Sequence, residues 1–201
     1  MPGERPRIGV LNRSVAGFCE LQWLGLVDAA RAHDVDLVTF VGRELDHPVD
    51  FEAEANAVYE LVSPARLDGL VIFTTALQQF VDTKRIEAFA ERFEPLPIVS
   101  VEQPLPGHPA VLLDNRGGMR ALVEHLLDVH GYRRIAFVRG PVTNPGADLR
   151  YHGYLDALAA RGIEFDPLLA PPPPAWWDPH HPVAVVSAIY ATAASASSAD
   201  R

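Results

Sequence analysis

Polar residues follow several short apolar runs in this 201-residue chain, and their side chains suit hydrogen bonding to a small ligand. Asn12, Arg13 and Ser14 come directly after the run Arg7–Leu11, and Phe18 lies a few residues further on. Amide, guanidinium and hydroxyl groups donate to ligand hydroxyls, while an aromatic ring stacks on a sugar or base ring. An alternative role for Asn12 and Ser14 is to cap the helix that follows.

Two later apolar runs end in a similar way. Thr74 and Thr75 follow Gly69–Phe73, and Glu102 follows Ile98–Val101. Threonine hydroxyls at strand ends often bond to nearby backbone groups instead of a ligand, and this alternative is favoured for the threonine pair. A glutamate in this position accepts hydrogen bonds from polyol hydroxyls or from an amine, although exposed glutamates at loop starts are commonplace.

No arrangement typical of catalysis or metal binding accompanies these residues. His125 stands alone on a predicted helix. The side chains of the adjacent His180 and His181 are expected to diverge unless a loop folds them together, and no cysteine or acid lies at metal-site spacing. The first loop, GVLNRSVAG, matches neither the GxGxxG nor the GxxxxGK[ST] pattern. We therefore expect no enzymatic activity, no metal site and no cofactor.

Alternating apolar runs and helical patterns must position the polar residues. The predicted strands are Arg7–Leu11, Asp36–Val41, Gly69–Phe73, Ile98–Val101, Val111–Leu113 and Ile135–Val138. The predicted helices are Gly17–His33, Phe51–Leu61, Phe80–Phe93, Gly117–His130 and Asp148–Arg161. Short connections between them predict the α/β class, with a doubly wound parallel sheet. In such sheets ligands bind outside the carboxyl ends of the strands, where the polar residues lie.

Composition narrows the range of partners. The formal net charge is −9, from 17 basic and 26 acidic residues, which disfavours stand-alone binding to nucleic acid or to an anionic membrane. A single cysteine, Cys19, excludes an internal disulfide, and the sequence shows neither a signal-peptide pattern nor a long apolar span. We interpret the protein as cytoplasmic.

A group of motifs in the second half is similar to one known family. The segment Val111–Gly140 reads VLLDNRGGMRALVEHLLDVHGYRRIAFVRG, and Arg150, Gly153 and Tyr154 follow it in RYHGY. Together they closely resemble the effector-sensing domain of lactose-repressor (LacI/GalR-type) regulators, and the resemblance extends over roughly Arg7 to Phe165. It implies a type I periplasmic-binding-protein fold, in which a sugar-like or other small polar effector binds between two α/β subdomains.

The resemblance also implies roles for three residues. Asp114 and Asn115 match the family's DN pair, whose acid lines the cleft, and Arg150 matches an arginine that projects into the cleft. A guanidinium there binds hydroxyls or a carboxylate through two hydrogen bonds. The alternatives are that Asp114 only caps the following helix and that Arg150 is a solvent-exposed helix arginine.

The chain also departs from the family pattern. Only six residues precede the first predicted strand, so we expect no helix-turn-helix headpiece and no direct DNA binding. Residues 1–131 are expected to form the first sensor subdomain, 132–170 a partial second one, and 171–201 an atypical tail rich in proline, alanine and serine. The expected function is effector sensing, with a possible homodimer and a separate signalling protein as partners. The alternative is a truncated or frameshifted, non-functional remnant.

Overall fold

The computed structural model describes residues 5–141 and 143–172. The chain divides into two compact units, Met1–Leu112 and Leu113–Arg201, and each is described by itself. The side chains of Phe18 and Asp50 lie outside the description, as does the tail from residue 173 with its two tryptophans and two adjacent histidines.

The first unit is built on five parallel strands, which confirms the predicted fold class. Their spatial order is β2-β1-β3-β4-β5, and every neighbouring pair runs parallel. The strands are β1 (Arg7–Asn12), β2 (Asp36–Val41), β3 (Gly69–Phe73), β4 (Ile98–Val101) and β5 (Ala110–Val111). Because all strands point the same way, the loops that follow them meet at one edge of the sheet.

Helices of the first unit connect the strands. They are α1 (Glu20–Ala32), which follows a 3₁₀ turn at Gly17–Cys19, α2 (Asp50–Glu54), which continues as the 3₁₀ helix Ala55–Leu61, α3 (Thr74–Leu77) and α4 (Thr83–Glu91). Helix α4 begins later than predicted, because the Asp82 side chain accepts a hydrogen bond from the Arg85 amide and caps it.

The core of the first unit is apolar and almost completely buried. Leu11, Ile72 and Ile98 come from three neighbouring strands and are at most 1% exposed. Tyr59 and Phe89 cover them from the helices, with edge-to-face rings 5.5 Å apart. Such burial is worth roughly 1.5–3 kcal/mol per large side chain before the cost of ordering is subtracted. The sheet therefore gives the loops at its edge a rigid base.

Helix α1 departs from its predicted amphipathic packing. None of its residues is buried, and Leu21 and Leu24 are 81% and 48% exposed. The three-to-four spacing of its apolar residues predicts the helix correctly. It does not predict that the apolar side chains stay exposed instead of packing against the rest of the unit.

The second unit contains a pair of packed helices, α5 (Asn115–Asp128) and α6 (Pro145–Ala159). Val123 and Leu127 of α5 pack with Tyr154, and the Tyr154 hydroxyl donates to the carbonyl of Ile135 at 3.0 Å. At Gly153 the backbones approach so closely that an added Cβ would lie 2.3 Å from the Arg116 carbonyl oxygen.

Helix boundaries in this unit follow from their caps. Helix α5 begins at Asn115, two residues before the prediction, because Asp114 caps it by accepting from the Gly117 amide. Helix α6 begins at Pro145, three residues before the prediction, because Asn144 accepts from the Ala147 amide.

One sequence prediction is corrected here. The predicted strand Ile135–Val138 has no strand partner in the described part of the chain. Instead of a ladder of strand hydrogen bonds, the Phe137 amide donates to the Leu169 carbonyl at 2.7 Å. The subdomain boundary after Gly131 stays a prediction. Because α5 packs against α6, the helix belongs to the second compact unit.

Candidate functional site

The carboxyl edge of the first unit's sheet carries polar side chains from three strands. Asn12 ends β1, Thr74 follows β3 and Glu102 follows β4. Asn12 and Thr74 are fully buried, whereas Glu102 is partly exposed. Because β1, β3 and β4 are neighbours in the sheet, the structure brings these three predicted residues to one edge.

Asn12 is tied into the loop that follows β1. Its Oδ1 accepts from the Arg13 amide at 2.8 Å and from the Cys19 thiol at 3.7 Å, and its backbone carbonyl accepts from the Tyr59 hydroxyl at 3.2 Å. Burial raises the pKa of Tyr59, so this phenol remains a neutral donor. The Asn12 Nδ2 is buried without a hydrogen-bond partner in the described chain.

The helix-capping interpretation of Asn12 and Ser14 is wrong. The N-cap of the 3₁₀ turn is Ala16 and that of α1 is Cys19, and neither cap has a side-chain hydrogen bond. The Ser14 hydroxyl instead accepts from the Ala16 amide at 3.0 Å and donates to the Ala16 carbonyl at 3.2 Å. Both residues shape the loop rather than begin the helix.

Arg13 is engaged in an ion pair. Its Nη1 lies 3.0 Å from Oε1 of Glu44, a residue that is only 3% exposed. A buried carboxylate requires such a partner because it has lost its hydration. Arg13 therefore has a structural role, because it neutralises Glu44. The ligand contact that the sequence predicts for Arg13 would be a second role.

Thr74 holds the end of β3 against the loop after β4. Its hydroxyl donates to the Val101 carbonyl at 2.6 Å and accepts from the Gln103 amide at 3.1 Å. This geometry supports the backbone-satisfying interpretation over direct ligand contact. Thr75 lies beside it and is partly buried.

A buried polar cluster behind Thr74 is absent from the sequence predictions. The amide nitrogens of Gln78 and Gln103 lie 3.5 and 3.4 Å from the Thr83 hydroxyl. The Oε1 atoms of both glutamines and the Ser100 hydroxyl are buried without a hydrogen-bond partner in the structure. Native interiors rarely leave such groups unpaired, so these atoms retain hydrogen-bonding capacity at this edge. The only signal in the sequence is two glutamines close to strand ends.

Glu102 has an unusual backbone and a helix partner. Its φ of 75° lies in the left-handed region, which non-glycine residues seldom adopt. Its Oε1 accepts from Nε2 of Gln22 on α1 at 2.8 Å. The exposed-glutamate alternative is therefore wrong, because the side chain is partly buried and held in place.

In the second unit, Asp114 and Arg150 both have defined partners. Asp114 is exposed, and its Oδ1 accepts from the Gly117 amide at 2.8 Å, so the helix-capping role is present. Nη1 of Arg150 donates to Oδ1 of Asn115 at 2.6 Å, and Arg150 is partly buried. Arg150 is therefore not a solvent-exposed helix arginine.

The amino ends of α5 and α6 meet around Arg150. Gly146 lies in the first turn of α6, close to the side chains of Asn115 and Arg150. A Cβ added at Gly146 would be 3.1 Å from Nδ2 of Asn115 and 3.4 Å from Nη1 of Arg150. The first-turn amides of Gly117 and Ala147 are already paired with the capping side chains of Asp114 and Asn144. The side-chain donors that lie together here are the Asn115 amide and the Arg150 guanidinium.

Other surfaces of the described chain offer less. Two grooves of about 410 and 310 Å³ lie on the first unit, one lined by α1 and β2 and the other by residues around Arg7 and Asp68. Neither contains a predicted binding residue. The described residues include no metal-binding group of histidine, cysteine or acidic side chains, and no helix long and apolar enough to cross a membrane.

Comparison with known proteins gives one family. Residues 7–170 match the family model described as periplasmic binding proteins and the sugar-binding domain of the LacI family. The chain belongs to this family. The resemblance drawn from the DN and RxxGY motifs is thereby confirmed, and the regulators among its relatives are not enzymes. No curated protein matches the chain in sequence.

Solved structures of LacI-type regulators share this family fold. A LacI-family regulator from Mycobacterium smegmatis is 23% identical to this chain, with a TM-score of 0.69. The matched region covers 93% of this chain and 62% of the regulator's chain. The regulator CelR, solved as a cellobiose complex, is also 23% identical, with a TM-score of 0.68, and the match covers 98% of this chain and 57% of the CelR chain. CcpA of Lactococcus lactis is 21% identical with a TM-score of 0.63, and covers 83% and 58%. The chain thus spans about three fifths of the length of these regulators.

Proposed function

We propose that this chain is an effector-sensing module that binds a small polar, sugar-like molecule. The observation that carries the proposal is the group of unpartnered polar atoms at the carboxyl edge of the sheet, Asn12 Nδ2 foremost. An unpaired buried amide costs about 1–3 kcal/mol, and a ligand that accepts its hydrogen bond recovers that cost.

The second unit supports the same proposal independently. Arg150 and Asn115 present donors where the amino ends of two long helices meet. A guanidinium held by a neighbouring amide is suited to two parallel hydrogen bonds with a carboxylate or with adjacent hydroxyls. Asp114 adds an acceptor for ligand hydroxyls beside its capping role.

The family and one of its structural relatives are consistent with this class of ligand. The family model is that of a sugar-binding domain, and CelR was solved with cellobiose. We propose that the chain works without catalysis, in the cytoplasm, and that a second copy or a separate signalling protein receives the signal.

Thermal-shift screening tests the proposed function. We expect at least one compound in a panel of mono- and disaccharides, including cellobiose, to raise the unfolding midpoint of the purified 201-residue chain in a concentration-dependent way. Isothermal calorimetry then gives the dissociation constant. If the folded chain binds no member of a broad panel of sugars, sugar acids, amines and nucleosides, the alternative of a non-functional remnant is supported instead.

A further inference from the structure

We propose that the Gln22–Glu102 pair selects an effector that carries a protonated amino group. The inference rests on the proposed function, because it concerns the ligand of the same sheet edge. It adds a residue, Gln22, that the motifs do not indicate, and it distinguishes amines from neutral polyols.

The orientation of the Gln22 amide follows from chemistry. A carboxylate only accepts hydrogen bonds, so Nε2 of Gln22 must face Glu102, to which it donates at 2.8 Å. The carbonyl oxygen Oε1 of Gln22 then lies on the other side of the amide. That oxygen is buried and has no hydrogen-bond partner in the described residues.

Glu102 lacks a cationic partner. No arginine, lysine or histidine of the described residues forms an ion pair with its carboxylate, whose one hydrogen-bond donor among them is the neutral Gln22. The buried Glu44 shows the contrast, because it pairs with Arg13. A partly exposed carboxylate with no cationic neighbour attracts a ligand group of opposite charge.

The two side chains therefore offer acceptors and a negative charge. A group that satisfies both must carry at least two donor hydrogens, and a protonated amine supplies three together with a positive charge. The left-handed backbone of Glu102 positions this carboxylate at the end of β4, and strained residues of this kind cluster at functional sites. Vicinal hydroxyls supply donors without the charge, so they are the competing class in the test.

Matched ligand pairs separate the two classes. Binding of glucosamine against glucose, and of putrescine against 1,4-butanediol, is measured by thermal shift and calorimetry with the full chain at neutral pH. We expect the amine of at least one pair to bind about 10- to 100-fold more tightly than its neutral counterpart, as a charge-assisted hydrogen bond implies.

Variants assign that preference to the pair. Glu102→Gln keeps an acceptor for Gln22 and removes the charge, so we expect it to abolish the preference for the amine. Gln22→Met removes the buried carbonyl and is expected to weaken amine binding about tenfold. Glu54→Gln removes one negative charge from an exposed position on α2 and is the matched control, with no expected effect.

The outcomes distinguish this inference from the proposed function. If neutral sugars bind and amines bind no better, or if the preference persists in Glu102→Gln, the amine inference is wrong and effector sensing stands. If the folded chain binds no compound of these pairs and none of the broad panel of sugars, sugar acids, amines and nucleosides, both proposals fail. Unfolding midpoints of each variant without ligand verify that the variant is folded.

Discussion

At the scale of single residues, Arg150 is the side chain whose removal should reveal ligand binding most directly. Its guanidinium is partly buried, bonded to Asn115 at 2.6 Å and close to the amino end of α6. We expect Arg150→Ala to weaken binding of an identified effector about 10- to 100-fold, because charge-assisted hydrogen bonds are lost. Calorimetry measures the effect, with the exposed Arg66→Ala as control. An unchanged dissociation constant removes Arg150 from the site.

Asp114 is expected to respond more weakly. Asparagine caps helices as well as aspartate does, so Asp114→Asn should leave α5 and the folding stability intact. Any loss of affinity then reports the lost charge, and we expect it to be smaller than for Arg150→Ala. A loss of affinity larger than that of Arg150→Ala in the same calorimetric series would make Asp114 the dominant contact.

At the scale of elements, the contact between α5 and α6 depends on the missing side chain of Gly153. A Cβ there would lie 2.3 Å from the Arg116 carbonyl oxygen and 3.1 Å from the backbone nitrogen of Arg120. We expect Gly153→Ala to lower the free energy of unfolding by about 1–3 kcal/mol, because the helices must separate. Urea denaturation measures this change.

Gly118 provides the matched control for that substitution. It lies on α5 with open space around the position of a Cβ. Gly118→Ala should stabilise the protein by about 0.5–1 kcal/mol through helix propensity alone. If both alanine substitutions have the same effect, close packing at Gly153 is not what holds the helices together.

Ion pairs that join α5 to α6 and to Arg161, just beyond α6, predict how stability depends on pH. Hydrogen bonds from Arg116 lower the pKa of Asp156, and those from Arg161 lower the pKa of Asp128. Because the pKa is lower in the folded state, these pairs stabilise the fold above about pH 4 and lose that effect as the pH falls further. The groups are exposed, so the contribution is small and falls with salt.

Urea denaturation as a function of pH tests this dependence. Arg116→Gln should flatten the fall in unfolding midpoint below about pH 4, because Asp156 then titrates alike in both states. The exposed Arg66→Ala should retain the slope of the parent chain. An Arg116 variant with an unchanged slope would exclude this ion pair as a source of acid sensitivity.

At the scale of the whole molecule, net charge decides how the chain behaves toward DNA. With a formal charge of −9, it lacks the excess of cations that releases counterions from phosphate. We expect no sequence-specific binding by this chain and negligible non-specific binding at physiological salt, measured by fluorescence anisotropy. A salt-sensitive complex with a submicromolar midpoint would contradict this.

The two units should also differ in local stability. Ile135, Phe137 and Tyr151 of the second unit are only partly buried, whereas the strand residues at the centre of the first are almost completely covered. We expect amide hydrogen exchange to be slower in β1, β3 and β4 than in α5 and α6. The tail region proposed as 171–201 lies almost entirely outside the described residues, and exchange measurements extend to it. Uniformly slow exchange through both units would show that the second is equally complete.

Local pattern determined most of the first unit. Short apolar runs between helical stretches predict β1, β3 and β4 closely, because a strand buried on both faces leaves a nearly continuous apolar signal. The DN and RxxGY motifs indicated the family, since several spaced elements must coincide. The same alternation placed Asn12, Thr74 and Glu102 at strand ends, and parallel strands bring such ends to one edge.

Tertiary structure decided what those residues do. Whether Thr74 contacts the backbone or a ligand depends on the Val101 carbonyl, 27 residues away, and Glu102 meets Gln22 from 80 residues earlier. No local pattern encodes such distances. The strand predicted at Ile135–Val138 did not form in the described chain because a strand needs a neighbour to bond to, and apolar sequence alone supplies none. Sequence thus determined which segments are apolar, and long-range packing determined which polar atoms remain unpaired and available for a ligand.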